Sequence, residues 1–361
     1  MENTLDNIFE ALDNGARLSF EQALKLATEA PLARLGAAAT KRKETLSGKD
    51  VFFNRNFHLE PSNICTYNCT FCSYRKRSGE LGSWDYSLEE SLEQVRKRKD
   101  CGATEIHIVG SIHPRHKLDF YLEMIRDVKK IMPEVTIKAF TAIEIDNMIV
   151  SSGLSLDEGL DMLIEAGLEA IPGGGAEIFA PKVREAVCPD KGPAERWLTV
   201  HHKAHQRGIS TNATMLYGHI ESWEDRIDHL MQLREQQDKS KGFNAFIPLK
   251  FRSKGNSLSH LGEVSIIEDM RTLAISRLVL DNFPHIKAYW PMLGKTTTAM
   301  ALCFGADDID GTIDDSTKIY SMAGADDQKP RMSIEEITNI ICSAGYTAVE
   351  RDTFYNTIKK Y

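Results

Sequence analysis

From residue 51 onward, short runs of β-forming residues alternate with longer amphipathic stretches. Strands that alternate with helices along a chain form βαβ units and a parallel sheet. Seven or eight such units favour a (βα)8 TIM-type barrel over an open sheet. The predicted strands are 55–64, 104–110, 135–142, 168–172, 209–216, 243–249, 284–290 and 307–313. The predicted helices between them include 87–100, 117–132, 155–166, 194–208, 222–239, 264–282 and 294–304.

The two ends of the chain differ from this alternating region. The first fifty residues have helical periodicity, with helices predicted at 20–30 and 31–46, and another helix is predicted from Ser333 onward. We therefore predict an N-terminal helical extension at 1–50, the α/β barrel at 51–315, and a C-terminal cap at 316–361 that packs on the barrel.

Charge and hydropathy narrow the classes of partner. The 361 residues contain 44 Lys and Arg against 52 Asp and Glu, which gives a formal charge of −8. An acidic surface repels the phosphate backbone, so we expect no nucleic acid as partner. No stretch approaches the roughly 18 consecutive apolar residues of a membrane span. We expect a cytoplasmic protein that acts on a small molecule and not at a membrane.

Three of the seven cysteines form a tight group directly after the first predicted strand. Cys65, Cys69 and Cys72 have the spacing C-x3-C-x2-C, whereas the other four cysteines stand alone. Three thiolates on one loop can hold an iron–sulfur cluster and leave one iron open to a small molecule. A structural zinc site needs a fourth ligand, which His58 or His113 would have to supply. A zinc module is therefore an alternative.

The cysteine triplet, with Phe71 directly before its last cysteine, resembles the signature of the radical S-adenosylmethionine (SAM) superfamily. The resemblance implies one 4Fe–4S cluster held by the three cysteines. It also implies that the methionine amino and carboxylate groups of SAM chelate the open iron, and that the sulfonium is cleaved to a 5′-deoxyadenosyl radical. Phe71 is a candidate cofactor contact, as are Gly110 and Ser111, which follow the second predicted strand.

A glycine-rich turn after the fourth predicted strand gives further cofactor candidates. Consecutive glycines at 173–175 allow the backbone to approach a ligand closely, and Gly174 is the candidate contact. Glu177 is a candidate for the ribose hydroxyls or the ammonium of the cofactor. Arg184, two helical turns further on, is a candidate for the methionine carboxylate. A plain turn and solvated helix charges are the alternatives.

Polar residues at other strand ends are candidates for the cofactor and the second substrate. Asn212 is assigned to the cofactor, and His113 and Arg75 are the candidate catalytic residues. A buried structural network, or a hydrogen-bonded loop histidine at 113, is the alternative. The candidate substrate-binding residues are His58, Thr214, Tyr217, His219, Lys250 and Arg252, of which Lys250 and Arg252 offer cations for a substrate carboxylate.

Longer segments resemble the aminofutalosine synthase family of menaquinone biosynthesis. They are PGGGAEIF, STNATMLYGHIE, LREQQD, GFNAFIPLKF, ADDIDGTI and KIYSMAGA. The resemblance implies that the 5′-deoxyadenosyl radical adds to the enol ether of 3-[(1-carboxyvinyl)oxy]benzoate. Rearrangement and decarboxylation then give 6-amino-6-deoxyfutalosine, so that SAM is consumed as a substrate. An external electron donor such as flavodoxin or ferredoxin is the expected partner, and a homodimer is compatible with the sequence.

Three other functions remain open at this point. Dehypoxanthine futalosine cyclase is a radical enzyme that abstracts hydrogen from a nucleoside, and the deazaflavin-precursor synthase uses tyrosine. A non-catalytic iron–sulfur electron carrier is the alternative from another class, and it would need a fourth protein ligand.

Overall fold

The computed structural model describes residues 4–361. Its strands are β1 Asp50–Asn54, β2 Asn56–Leu59, β3 Glu105–Ile108, β4 Thr136–Ala139, β5 Ala170–Ile171, β6 Ser210–Tyr217, β7 Phe243–Lys250, β8 His285–Ile286, β9 Asp308–Gly311, β10 Thr347–Arg351 and β11 Thr357–Lys360. Its α-helices are α1 Leu5–Asp13, α2 Phe20–Glu29, α3 Leu32–Ser47, α4 Leu88–Arg96, α5 Leu118–Ile131, α6 Ala142–Val150, α7 Leu156–Ala166, α8 Pro181–Val187, α9 Ala194–Gln206, α10 Trp223–Ser240, α11 Ile266–Val279, α12 Trp290–Leu293, α13 Lys295–Ala301, α14 Ile319–Met322 and α15 Ile334–Ser343. Short 3-10 helices lie at Pro189–Lys191, Ser259–Leu261 and Leu302–Phe304.

Seven parallel strands form the main sheet in the order β2-β3-β4-β5-β6-β7-β8. The sequence order equals the spatial order, as expected for successive βαβ units. The predicted α/β TIM-type fold is confirmed, as a partial barrel of seven strands. Residues His58, His107 and Lys138 lie side by side on β2, β3 and β4, in one layer of the sheet.

The eighth predicted strand, β9, belongs to a second sheet of order β11-β10-β1-β9. In this sheet β1 pairs in parallel with both β10 and β9, and β11 is antiparallel to β10. A bridge between Lys287 and Asp308 connects the end of β8 to β9. The second sheet therefore continues the main sheet past β8 and includes strands from both ends of the chain.

Local capping signals fix where several helices begin. Among residues 4–361, six helices start with a capping box. In this motif the N-cap hydroxyl accepts from the amide three residues later, and the side chain of that residue accepts from the N-cap amide. Thr141 and Glu144 form such a box at the start of α6, which is absent from the sequence-based prediction. The alternating A-I-E-I there extends the preceding strand pattern and hides the helix.

The hydrophobic core is continuous across the barrel and its surrounding helices. Trp197, Trp290 and Phe53 are among its largest fully buried side chains. Within residues 4–361, none of the helices combines the length and the apolar character needed to cross a membrane.

Candidate active site

The cysteine loop follows β2 and is fixed by backbone hydrogen bonds to three other segments. The amide of Cys65 donates to Lys76 O at 3.0 Å, that of Thr66 to Ile112 O at 2.8 Å, and that of Thr70 to Val187 O at 2.9 Å. Cys69 is buried, and Cys65 and Cys72 are half-buried. All three line one cavity at the carboxyl ends of the strands, where active sites of this architecture lie.

The arrangement of the sulfurs fits a cluster better than a single zinc ion. Two thiolates on one zinc lie at most about 4.6 Å apart, because each Zn–S bond is about 2.3 Å. Among residues 4–361, only Asp85, His113 and His116 bring three ligand atoms within 4.8 Å of one another, so the cysteines are not preformed around one small ion. Three thiols that share one cavity but do not converge on one point suit the larger 4Fe–4S cluster, whose ligands are cysteine thiolates.

Burial favours the protonated form of two of these thiols in the absence of metal. It raises the pKa of Cys65, and it raises the pKa of Cys69 to about 12 against the opposing effect of the Lys191 ammonium. Metal binding must therefore displace protons from both thiols.

The cavity has a volume of about 1160 Å³ including its mouth. Nine predicted site residues line it: Cys65, Cys69, Phe71, Cys72, Gly110, Ser111, Gly174, Asn212 and Thr214. Seven lie in the loops that follow β2, β3 and β5, and Asn212 and Thr214 lie within β6. The nine positions therefore share one cavity, and the roles assigned to them stay predictions.

Glu144 holds the backbone of the Gly110 strand end. Its Oε1 accepts from the Gly110 amide at 2.8 Å, and its Oε2 accepts from the Thr141 amide at 2.9 Å. Burial raises the pKa of this carboxyl. Ser111 donates its hydroxyl to Ile64 O at 2.7 Å and so connects the same strand end to the cysteine loop.

The glycine turn packs against β6 too closely for a side chain. An ideal Cβ on Gly173 would lie 2.7 Å from the carbonyl carbon of Ala213. Thr214 donates its hydroxyl to Gly173 O at 2.6 Å, and Trp197 donates its indole N–H to Gly174 O at 3.1 Å. Gly175 has a φ of 88°. The turn is therefore fixed from both sides and exposes its backbone to the cavity.

Two of the predicted cofactor residues lie outside the cavity lining. Arg184 is buried and donates to the carbonyls of Gly192 at 2.8 Å and Ala176 at 2.5 Å. Glu177 forms an ion pair with Lys191, whose ammonium faces the cavity and the cysteines. In this arrangement Arg184 holds the turn, and Lys191 is one of the cations that line the cavity.

The two predicted catalytic residues also lie outside the lining. Arg75 donates from Nε to Cys69 O at 3.4 Å and supports the cysteine loop. Nδ1 of His113 accepts from the amides of Arg115 at 3.2 Å and His116 at 3.0 Å. Neutral His113 therefore carries its proton on Nε2, which lies 3.3 Å from Asp85 Oδ2. A metal ion would need a lone pair on Nε2, and this tautomer has none there.

Four of the predicted substrate residues have structural partners elsewhere, and a fifth, His58, lies outside the cavity lining. Tyr217 donates to Asp269 Oδ1 at 2.8 Å, and Lys250 donates to Asp269 Oδ2 at 2.9 Å. His219 contacts Glu221 Oε2 at 3.1 Å. Arg252 donates to the carbonyls of Met292 at 3.2 Å and Gly324 at 2.8 Å. His58 is buried beside His107 and does not line the cavity.

Several residues that line the cavity, including those of its far wall, carry little signal in the sequence. Their one sequence signal is a polar residue inside an apolar strand, as at His107 and Lys138. The missed lining residues include Tyr67, Glu105, His107, Lys138, Lys191, Lys287, Tyr289, Asp310 and Tyr320.

Comparison with known protein families agrees with the cysteine loop and the fold. Residues 59–233 match the Radical SAM superfamily, and residues 240–360 match the CofH/MqnC C-terminal region. An aminodeoxyfutalosine synthase from Thermus thermophilus is 42% identical, over 98% of this chain and 95% of that protein.

Two other kinds of enzyme are similar over most of their length. A 5-amino-6-(D-ribitylamino)uracil–L-tyrosine 4-hydroxyphenyl transferase from Methanopyrus kandleri is 35% identical, over 90% of this chain and 89% of that protein. A cyclic dehypoxanthine futalosine synthase from Streptomyces coelicolor is 33% identical, over 97% of this chain and 88% of that protein.

The crystal structure of methylornithine synthase shares the fold, with a TM-score of 0.75 at 17% identity over 94% of this chain and 96% of that one. Sequence, fold and the three-cysteine loop agree, and the chain belongs to the radical S-adenosylmethionine superfamily, with a C-terminal region of the CofH/MqnC type.

Proposed function

We propose that this chain catalyses the aminofutalosine synthase reaction. In that reaction the 5′-deoxyadenosyl group adds to the enol ether of 3-[(1-carboxyvinyl)oxy]benzoate, and rearrangement with decarboxylation gives 6-amino-6-deoxyfutalosine. The observation that carries the proposal is the 42% identity to an aminodeoxyfutalosine synthase over 98% of this chain. The two other enzyme classes are 35% and 33% identical, so their reactions are the outcomes to test against.

The cysteine loop and the strand ends have distinct roles in this proposal. Cys65, Cys69 and Cys72 hold the 4Fe–4S cluster, which with SAM supplies the one-electron cleavage that generates the 5′-deoxyadenosyl radical. Gly110 and Gly174 present backbone to the cofactor, because Glu144 and Thr214 hold these two strand ends in place.

Apolar side chains on the cavity wall keep water from the reacting groups. Ile112, Ile143, Ile247 and Leu249 line the cavity between the cysteine loop and its far wall. Exclusion of solvent limits side reactions of a reactive intermediate. Tyr289 and Tyr320 complete the far wall, with ring centroids 4.9 Å apart, and offer aromatic faces to a benzoate ring.

The reductant is part of the same proposal. An external one-electron donor such as flavodoxin or ferredoxin would reduce the cluster, because the one cysteine triplet provides for a single cluster. The other four cysteines, Cys101, Cys188, Cys303 and Cys342, do not line the cavity.

The product identifies the reaction. Reduced, cluster-loaded protein with SAM and 3-[(1-carboxyvinyl)oxy]benzoate is expected to give an adenosylated adduct, detected by mass spectrometry. Free 5′-deoxyadenosine without an adduct would rule the proposal out. Adduct formation only with tyrosine, or conversion of dehypoxanthine futalosine, would assign one of the other two reactions.

Cys69→Ala is expected to abolish both cluster assembly and product formation, because two thiolates cannot hold the cluster. Iron content and the visible absorbance of the cluster measure its assembly, and turnover measures product formation. Cys342→Ala is the matched control, since Cys342 is exposed and outside the cavity. Turnover that survives Cys69→Ala would contradict the role of the triplet.

A further inference from the structure

Two adjacent histidine rings at the base of the cavity have nitrogen atoms without partners. His107 on β3 lines the cavity, and His58 lies beside it on β2, with ring centroids 4.6 Å apart. Both nitrogens of His58 and Nε2 of His107 are buried and make no hydrogen bond within the chain. Unpaired buried polar atoms are rare in proteins and cost on the order of 1–3 kcal/mol each. A polar group that enters the cavity would remove this cost.

The charged residues around these rings are already paired with one another. Lys138 Nζ lies 2.5 Å from Glu105 Oε2, and Lys287 Nζ lies 2.5 Å from Asp310 Oδ1. Each ammonium group is paired with one carboxylate. These four residues therefore bring no excess of positive charge to the base of the cavity. His107 differs from them because its Nε2 is uncommitted.

His107 lies well below the cysteine loop. Gly110, at the end of the same strand, is three residues further along, which corresponds to about 10 Å at roughly 3.3 Å per residue. A substrate that reacts near the cysteine loop therefore reaches His107 only with the end remote from its reacting bond. In the proposed substrate the enol carboxylate is attached to the reacting double bond, whereas the benzoate carboxylate is remote from it.

We propose that His107 donates a hydrogen bond from Nε2 to the benzoate carboxylate of the second substrate and so positions the enol ether toward the cysteine loop. His58 packs beside the His107 ring, and Lys138 and Lys287 stay paired with Glu105 and Asp310. His107 is thus a positioning residue with a direct contact to substrate. The identity of the carboxylate rests on the proposed function, but the site itself is defined by the unpaired imidazole nitrogens.

The contact is tested by comparing ligands that differ only in the acid group. Calorimetry on the cluster-loaded protein with SAM uses 3-methoxybenzoate and 3-methoxybenzamide as probes. Wild-type protein is expected to bind the benzoate at least tenfold more tightly than the amide. His107→Phe is expected to lose this preference, and His107→Asn, which keeps a donor, is expected to retain part of it.

The control is His201→Asn, which changes a buried histidine on α9 that does not line the cavity. It is expected to leave the preference for the benzoate unchanged. If His107→Phe fails to fold, the 15N signal of the His107 imidazole in wild-type protein replaces it, and this signal is expected to shift on titration with 3-methoxybenzoate. A preference unaltered in folded His107→Phe, or an imidazole signal that does not shift, would overturn the proposal.

Turnover separates this inference from the proposed function. If wild-type protein forms the adduct and His107→Phe raises KM at least tenfold with a smaller effect on kcat, both hold. If wild-type protein forms the adduct and His107→Phe leaves KM unchanged, the positioning role fails and the function stands. Benzoate binding that depends on His107, without any adduct, would support an acid-binding site and contradict the function.

Discussion

Glu60 connects the end of β2 to the segment that completes the far wall of the cavity. Its Oε1 accepts the hydroxyl of Thr317 at 2.6 Å, and the amide of Lys318 contacts both carboxylate oxygens at 3.1 and 3.0 Å. Ile319 and Tyr320, which come next in the chain, line the cavity. Burial raises the pKa of Glu60 to about 7, and these hydrogen bonds oppose that rise.

This carboxyl makes stability depend on pH. Between pH 4.5 and about 7 the folded state holds a proton that the unfolded state has lost, so the free energy of unfolding falls as pH rises through this range. Glu60→Gln removes that contribution. From pH 5 to pH 8 the wild type is expected to lose about 2–3 kcal/mol relative to the variant, measured by urea unfolding.

Glu185→Gln is the control for this comparison, because Glu185 is exposed on α8. It is expected to follow the wild type at both pH values. A constant difference between Glu60→Gln and wild type across the range would show that the Glu60 carboxyl does not titrate in this way.

At the scale of elements, the glycine turn offers a second prediction. Gly175 and Gly208 both have positive φ, at 88° and 77°, so alanine at either position costs about 1–2 kcal/mol of stability. A Cβ on Gly175 would also lie 2.8 Å from Ile143 Cγ1 on the cavity wall, whereas one on Gly208 has nothing within 4 Å. Gly175→Ala is therefore expected to raise the Kd for SAM about tenfold.

Gly208→Ala is the matched control, and it is expected to lose stability without a change in the Kd for SAM. Isothermal calorimetry gives the Kd, and thermal unfolding gives the stability. Equal Kd values for the two variants would mean that the cavity wall at Gly175 does not contact the cofactor.

The elements also show how far the sequence determines the fold. All eight predicted strands overlap observed ones, because each has a dense β-forming run bounded by turn residues. β1 follows a helix directly, and β10 lies near the end of the sequence. Both are strands because they pair with each other, although they are far apart along the chain. Such long-range pairing leaves little local signal in a single sequence.

The site residues also divide into those that a local sequence pattern reveals and those whose position depends on distant partners. Cysteine spacing and consecutive glycines are local patterns, and the residues that carry them line the cavity. Lys250 and Arg252 have the right charge at a strand end, but their orientation depends on partners that the sequence does not reveal. Lys250 pairs with Asp269, and Arg252 bonds the carbonyls of Met292 and Gly324.

At the scale of the whole molecule, buried histidines determine the response to acid. Eight of the eleven histidines have a lowered pKa, chiefly through burial, with His58 and His205 at about 4 and His229 at about 3. The unfolded chain takes up protons near pH 6.5, and the folded chain does not. The free energy of unfolding is therefore expected to fall by several kcal/mol from pH 7 to pH 5.

Three buried carboxyls with a raised pKa, Glu60, Glu144 and Asp269, oppose this trend but are fewer. Urea unfolding at pH 7 and pH 5 measures the net change in the free energy of unfolding. His229→Gln is expected to reduce the loss by about 2 kcal/mol, since it removes one group that the folded state keeps neutral. Stability that rises on acidification would show that the carboxyls dominate.

The second sheet sets an order of events during synthesis. Asp50 of β1 pairs with Thr347 of β10, about 300 positions later, and Tyr320 is the last cavity-lining residue along the chain. On the ribosome the cysteine loop and all seven strands of the main sheet therefore emerge before the far wall of the cavity exists. A nascent chain presents its three thiols at an open cavity, and iron delivered at that stage would not have to pass Tyr320.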